Sequence, residues 1–117
     1  MIKMIEKMMY KEDIAYCEIV NIETWERICL GDRERISPND LIRMNEEEND
    51  LKGLYRCTEG KTLPQHWGQG DVEMLVCLPG KELMVMFYYY DYGNVKDNFS
   101  RGEKIDASLK RIVAQAS

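Results

Sequence analysis

Between Asp71 and Gly93 the chain reads "DVEMLVCLPGKELMVMFYYYDYG", two β-branched, aliphatic and aromatic runs on either side of Pro79-Gly80. Runs of that composition around a turn dipeptide predict a β-hairpin, and a hairpin in this position commits the chain to an antiparallel sheet. A two-residue loop would set position 78 opposite 81, 76 opposite 83 and 72 opposite 87. Val72, Met74, Val76 and Leu78 then share a face with Leu83, Val85, Phe87 and Tyr89, and a four-residue loop keeps that sharing. Glu73, Leu75 and Cys77 fall on the other face with Glu82, Met84, Met86, Tyr88 and Tyr90. Since alternate strand residues point opposite ways, Phe87, Tyr88, Tyr89, Tyr90 and Tyr92 cannot form one aromatic platform.

The rest of the chain reads as helices around that sheet. Met1, Ile2, Met4, Ile5, Met8 and Met9 make an apolar stripe with Lys3, Glu6 and Lys7 opposite, the pattern of a short amphipathic helix. Residues 13–20 have strand composition. Asn21 is placed to cap a helix over 22–30, with Ile22, Trp25 and Cys29 on one side and Gly31 as its stop. "SPNDLIRMNEEEND" predicts a helix from Ser37 to about Asp50, with Pro38 at its first position and Asp40 completing a capping box. "LYRCT" then reads as a short strand, residues 59–71 as a loop, and residues 102–116 as a helix burying Ile105, Leu109, Ile112 and Val113. The expected fold is a single α+β domain over residues 1–117, a small antiparallel sheet centred on the 71–92 hairpin with three or four helices packed around it.

Composition narrows the function. A chain of 117 residues with 44% hydrophobic and 32% charged side chains is ordinary for a globular domain with a core of its own. Its net charge of −5 argues against direct binding of nucleic acid, whose affinity rests on neutralised phosphates, and against an anionic membrane surface. No segment has the uninterrupted apolar block of a secretory signal or a membrane span, so the expected location is the cytoplasm. There, Cys17, Cys29, Cys57 and Cys77, with no paired spacing, are expected to be free thiols packed as small hydrophobes.

Catalytic and cofactor motifs fail on their spacing. "GKT" at 60–62 would be a phosphate loop only with a glycine at position 55, where Tyr55 stands. His66 is the single histidine, with no local pattern joining it to Cys57 or Cys77 as nucleophile and base. Scattered cysteines and one histidine do not make a zinc site. No enzyme activity, cofactor or metal is expected.

Two groups of residues remain. Glu46, Glu47, Glu48 and Asp50 form an acidic cluster, read as the C-terminal end of the 37–50 helix and wrapped around it. Tyr88, Tyr90 and Tyr92 offer large contact area at small entropic cost, as interface tyrosines do. Together they predict a non-enzymatic, acidic interaction protein that binds a basic protein partner and could inhibit it, of the immunity, antitoxin-like or phage and mobile-element anti-defence kind. The alternative is a small-molecule-binding or sensory domain. Its pocket would lie between the 59–71 loop, carrying Gln65, His66, Trp67 and Gln69, and the tyrosines at 88–92. Neither reading fixes an oligomeric state.

Overall fold

The computed structural model describes residues 1–116. The elements in chain order are α1 (Ile2–Lys11), β1 (Tyr16–Asn21), β2 (Arg27–Gly31), a 3-10 turn (Arg33–Arg35), α2 (Asp40–Arg43), α3 (Glu48–Cys57), β3 (Gln65–Gln69), β4 (Val72–Cys77), β5 (Leu83–Tyr90) and α4 (Val95–Ala116). The strands form one antiparallel sheet in the order β2-β1-β5-β4-β3. This is the expected α+β fold, with the 71–92 hairpin as β4 and the central strand β5.

Both faces of the sheet are covered. On one side α1 and α4 bring Ile5, Met8, Met9, Ile105, Leu109 and Ile112 onto Cys17, Leu75, Cys77, Val85, Phe87 and Tyr89. On the other, Ile36, Leu41, Ile42, Leu51 and Leu54 from the α2–α3 segment cover Tyr16, Val72, Met74, Met84, Met86 and Tyr88. The central strands are therefore apolar on both sides, which is why β5 reads as an unbroken apolar run. Gly31 ends β2 at φ +84° with its Cα against the Ala15 carbonyl, a place no side chain fits.

The hairpin faces are the reverse of those expected. Val76 pairs with Met86, Met74 with Tyr88 and Val72 with Tyr90, so even positions share one face and odd positions the other. The connection between the strands, residues 78–82, holds an odd number of residues, and an odd count exchanges every side chain between faces.

Four local expectations are also corrected. The helix expected over 22–30 is instead a tight reversal into β2. The Asn21 side chain accepts from the amides of Glu23 and Thr24 at 2.8 and 3.1 Å, bending the backbone into a turn. The helix expected from Ser37 starts at Asp40. The Tyr90 hydroxyl accepts from the Ser37 amide at 2.7 Å and lies 2.9 and 3.1 Å from the Arg35 and Ser37 carbonyls as donor, which ties those residues to the sheet instead. That helix then breaks after Arg43, and "LYRCT" belongs to α3 and the residue that follows it rather than to a strand. Finally, the 59–71 loop contains β3, joined to β4 by a two-residue turn in which Gly70 has φ +59°.

Candidate functional site

The acidic cluster lies at the start of α3, not at the end of a helix. Glu47 is the N-cap: its side chain accepts from the backbone of the third helical residue, and its own amide donates to Asp50 Oδ2 at 3.1 Å. Carboxylates at this end complement the helix dipole rather than opposing it. Glu48 pairs with Lys52 at 3.1 Å. Glu46 takes a 2.7 Å hydrogen bond from Arg33, which holds its carboxyl below the usual range. All four are exposed, and each is engaged in folding its own neighbourhood.

The tyrosines divide three ways. Tyr88 is wholly buried, its ring 5.6 Å from that of Tyr16, and burial pushes its hydroxyl far above the ordinary value. Tyr90 is half-buried and anchors the Arg35–Ser37 segment. Tyr92 is 76% exposed and stacks flat on Tyr90 at 6.1 Å.

The 65–69 residues divide as well, because β3 is a strand with alternating faces. Gln65, Trp67 and Gln69 are paired with Val76, Met74 and Val72, on the α2–α3 side, where Gln69 donates to Asp40 at 2.6 Å. His66 turns to the α4 side. Its Nδ1 lies 2.7 Å from Glu73 Oε1 and its ring stacks on Phe99 at 5.7 Å. Gly102 of α4 makes room for that ring, since a Cβ there would overlap it. The tyrosines stand on and beyond β5, and β4 lies between that strand and β3.

What the fold assembles instead is a corner that sequence reasoning missed. His66, Gly68 and Glu73 from the β3–β4 edge face Val95, Asn98 and Phe99 from the first turns of α4 around a shallow cavity of about 300 Å³. Val95 is 85% and Phe99 49% exposed, directly beside the unpaired edge of β3. The sequence signal is weak: "NVKDNFS" shows only two apolar residues four apart, the spacing of neighbours on one helix face.

Arg101 holds this corner rigid. Its guanidinium donates to the Tyr90 carbonyl at 2.9 Å and the Glu12 carbonyl at 2.6 Å, joining β5, α4 and the end of α1. Among the described residues no three His, Cys, Asp or Glu side chains converge as a metal site. A corner of this kind presents backbone hydrogen-bonding groups and apolar surface, which is the equipment for binding protein.

No family model matches the chain, and no curated protein matches it. Solved structures do. Myxococcus xanthus MglB superposes with a TM-score of 0.56 at 12% identity, over 93% of this chain and 90% of that one. The gliding protein MglB from Thermus thermophilus gives 0.60 at 10% identity, over 97% and 88%. An MglB with tetrameric arrangement gives 0.57 at 11% identity, over 99% and 89%.

These likenesses correct the functional expectation. A chain sharing its architecture almost end to end with MglB gliding proteins is not placed among acidic immunity, antitoxin-like or anti-defence inhibitors. The site drawn for the sensory alternative is divided, because His66 lies on the opposite face of β3 from Gln65, Trp67 and Gln69. What the likeness establishes is the architecture: this chain has an α+β fold like that of the MglB structures.

Proposed function

We propose that this chain is a non-enzymatic regulator that assembles with copies of itself and acts on a GTPase through protein contacts. The observation that carries the reading is the open β3 edge flanked by exposed Val95 and Phe99. An unpaired strand beside apolar side chains is a template for a second chain, and a copy of the same chain supplies a matching edge. The sheet has a second open edge at β2, where Ile28 is 48% exposed, so two different contacts are available for an assembly larger than a dimer. The tetrameric arrangement of one MglB neighbour supports the same idea by analogy.

Of the surface residues expected from the sequence, Gln65, His66, Trp67 and Gln69 lie in the proposed contact region, on the edge strand β3 itself. Tyr88, inside the core, does not. A role on a GTPase agrees with the cytoplasmic location expected from the sequence. The test is GTP turnover by small GTPases of the same cell, measured with and without an equimolar amount of the chain. A change in turnover that Val95→Asp/Phe99→Asp abolishes supports the reading; unchanged turnover for every GTPase tried contradicts it.

A further inference from the structure

We propose that the groove between α1 and α4 docks an acidic amphipathic helix of a partner protein. The groove has a volume of about 360 Å³, and four cations line it: Lys7 and Lys11 from α1, Lys104 and Arg111 from α4. Glu12 is the one acidic side chain lining it, and it pairs with Lys104 at 3.5 Å. Arg111 donates only to Ser108 Oγ at 3.1 Å, and Lys7 and Lys11 have no ion pair among the described residues. Three uncompensated cations thus meet in one recess of a chain whose net charge is −5. A field opposite in sign to the rest of the molecule selects an anionic occupant.

The spacing of the cations selects the shape of that occupant. Lys7 and Lys11 are four residues apart, Lys104 and Arg111 seven. At a rise of about 1.5 Å per residue the charges sit about 6 and 10 Å apart along two packed helices. A third helix laid in the groove with carboxylates at i, i+4 and i+7 repeats those intervals. Its apolar face would meet Met4, Met8 and Ile112 between the cations. Met4 is 45% exposed, and unbranched methionine adapts to helices of differing sequence. A bilayer surface fits less well, because these cations border a recess rather than a protruding face. The proposal does not depend on the self-assembly or GTPase reading, since the groove lies further along α4 than the Val95–Phe99 corner.

The test uses the full chain and four probes: a labelled helical peptide with Glu at i, i+4 and i+7 around leucines, its Lys-for-Glu counterpart, phosphatidylserine vesicles and inorganic triphosphate. Lys7→Glu/Lys11→Glu and Arg111→Glu change exposed residues and should melt as the wild type does. Each is expected to raise the Kd of the acidic peptide about tenfold or more, while Lys61→Glu/Lys96→Glu leaves it unchanged. The basic peptide should not bind, and added salt should weaken the acidic one. The proposal is overturned if the acidic peptide does not bind, or if the distant reversal weakens it equally. It is also overturned if the groove variants alter vesicle or triphosphate binding while leaving the peptide unaffected.

Discussion

The Arg101 guanidinium lies 4.3 Å from the centre of the Tyr89 ring, over the last buried aromatic residue of β5. The same group bonds two backbone carbonyls from different parts of the chain, so one side chain fixes how the start of α4 meets the sheet. Arg101→Ala should destabilise the protein by about 2–4 kcal/mol, from lost charge-assisted hydrogen bonds and the cation–π contact. Arg101→Lys should recover only a minor part, because an ammonium cannot span both carbonyls as a planar fork does. Urea melts of the three proteins check this; a lysine variant as stable as the wild type would leave the fork geometry without a role.

Two glycines with positive φ separate strain from crowding. Gly60 has φ +69° with open space around it, whereas a Cβ on Gly31 would run into the Ala15 carbonyl. Gly60→Ala should cost about 1 kcal/mol, the penalty of the left-handed conformation alone. Gly31→Ala should cost clearly more, because the β1–β2 pair must also part. Equal midpoints in urea would contradict the packing at the start of β1.

Glu18 is 1% exposed, and burial raises its carboxyl above the ordinary value of 4.5 despite hydrogen bonds from Tyr16 at 2.8 Å and Arg27 at 3.3 Å. Because the folded protein holds that proton more tightly than the unfolded chain, the contribution is fully present below the unfolded pKa. It is lost as pH rises through the folded one. Stability of the wild type relative to Glu18→Gln should therefore fall as pH is raised from about 4 towards neutrality. Unfolding curves at a series of pH values check the slope, and a relative stability that rises over this range would reverse the assignment.

The thiols should separate into two classes. Cys29 and Cys57 are exposed, while Cys17 and Cys77 lie in the core, where burial pushes their pKa values well above the ordinary 9.0. A colorimetric thiol reagent at pH of about 8 should titrate two groups quickly in the folded protein and two more only on unfolding. Four equally fast thiols would mean that the sheet opens on the timescale of the reagent.

Those residues also show how far the sequence can be read. The hairpin, α1, the β1 strand and the buried positions of α4 follow from composition and periodicity, because burial there is strong and one-sided or complete. β2 is hidden because, as an edge strand, it buries only Leu30, so the helical spacing of Ile22, Trp25 and Cys29 looks stronger than its strand pattern. The break between α2 and α3 turns on Asn45, whose buried side chain donates to the Leu41 carbonyl at 3.0 Å. The same amide donates to Met74 Sδ on β4 at 3.4 Å, a tertiary contact that fixes Asn45 where it stands. The two faces of the hairpin are exchanged because sequence does not reveal whether a loop count is odd or even. The Val95–Phe99 corner depends on α4 starting at Val95, where Asn94 accepts from the Asp97 amide at 2.9 Å as a local cap, and on its lying across β3, which no local signal carries.

Self-assembly through the β3 corner is the central claim, and sedimentation equilibrium tests it most directly. The wild type should sediment as a dimer or larger at about 10 µM. Val95→Asp/Phe99→Asp, which alters only exposed side chains, should sediment as a monomer with an unchanged melting temperature. A wild-type chain that stays monomeric at about ten times that concentration, or an assembly indifferent to both substitutions, would contradict the account.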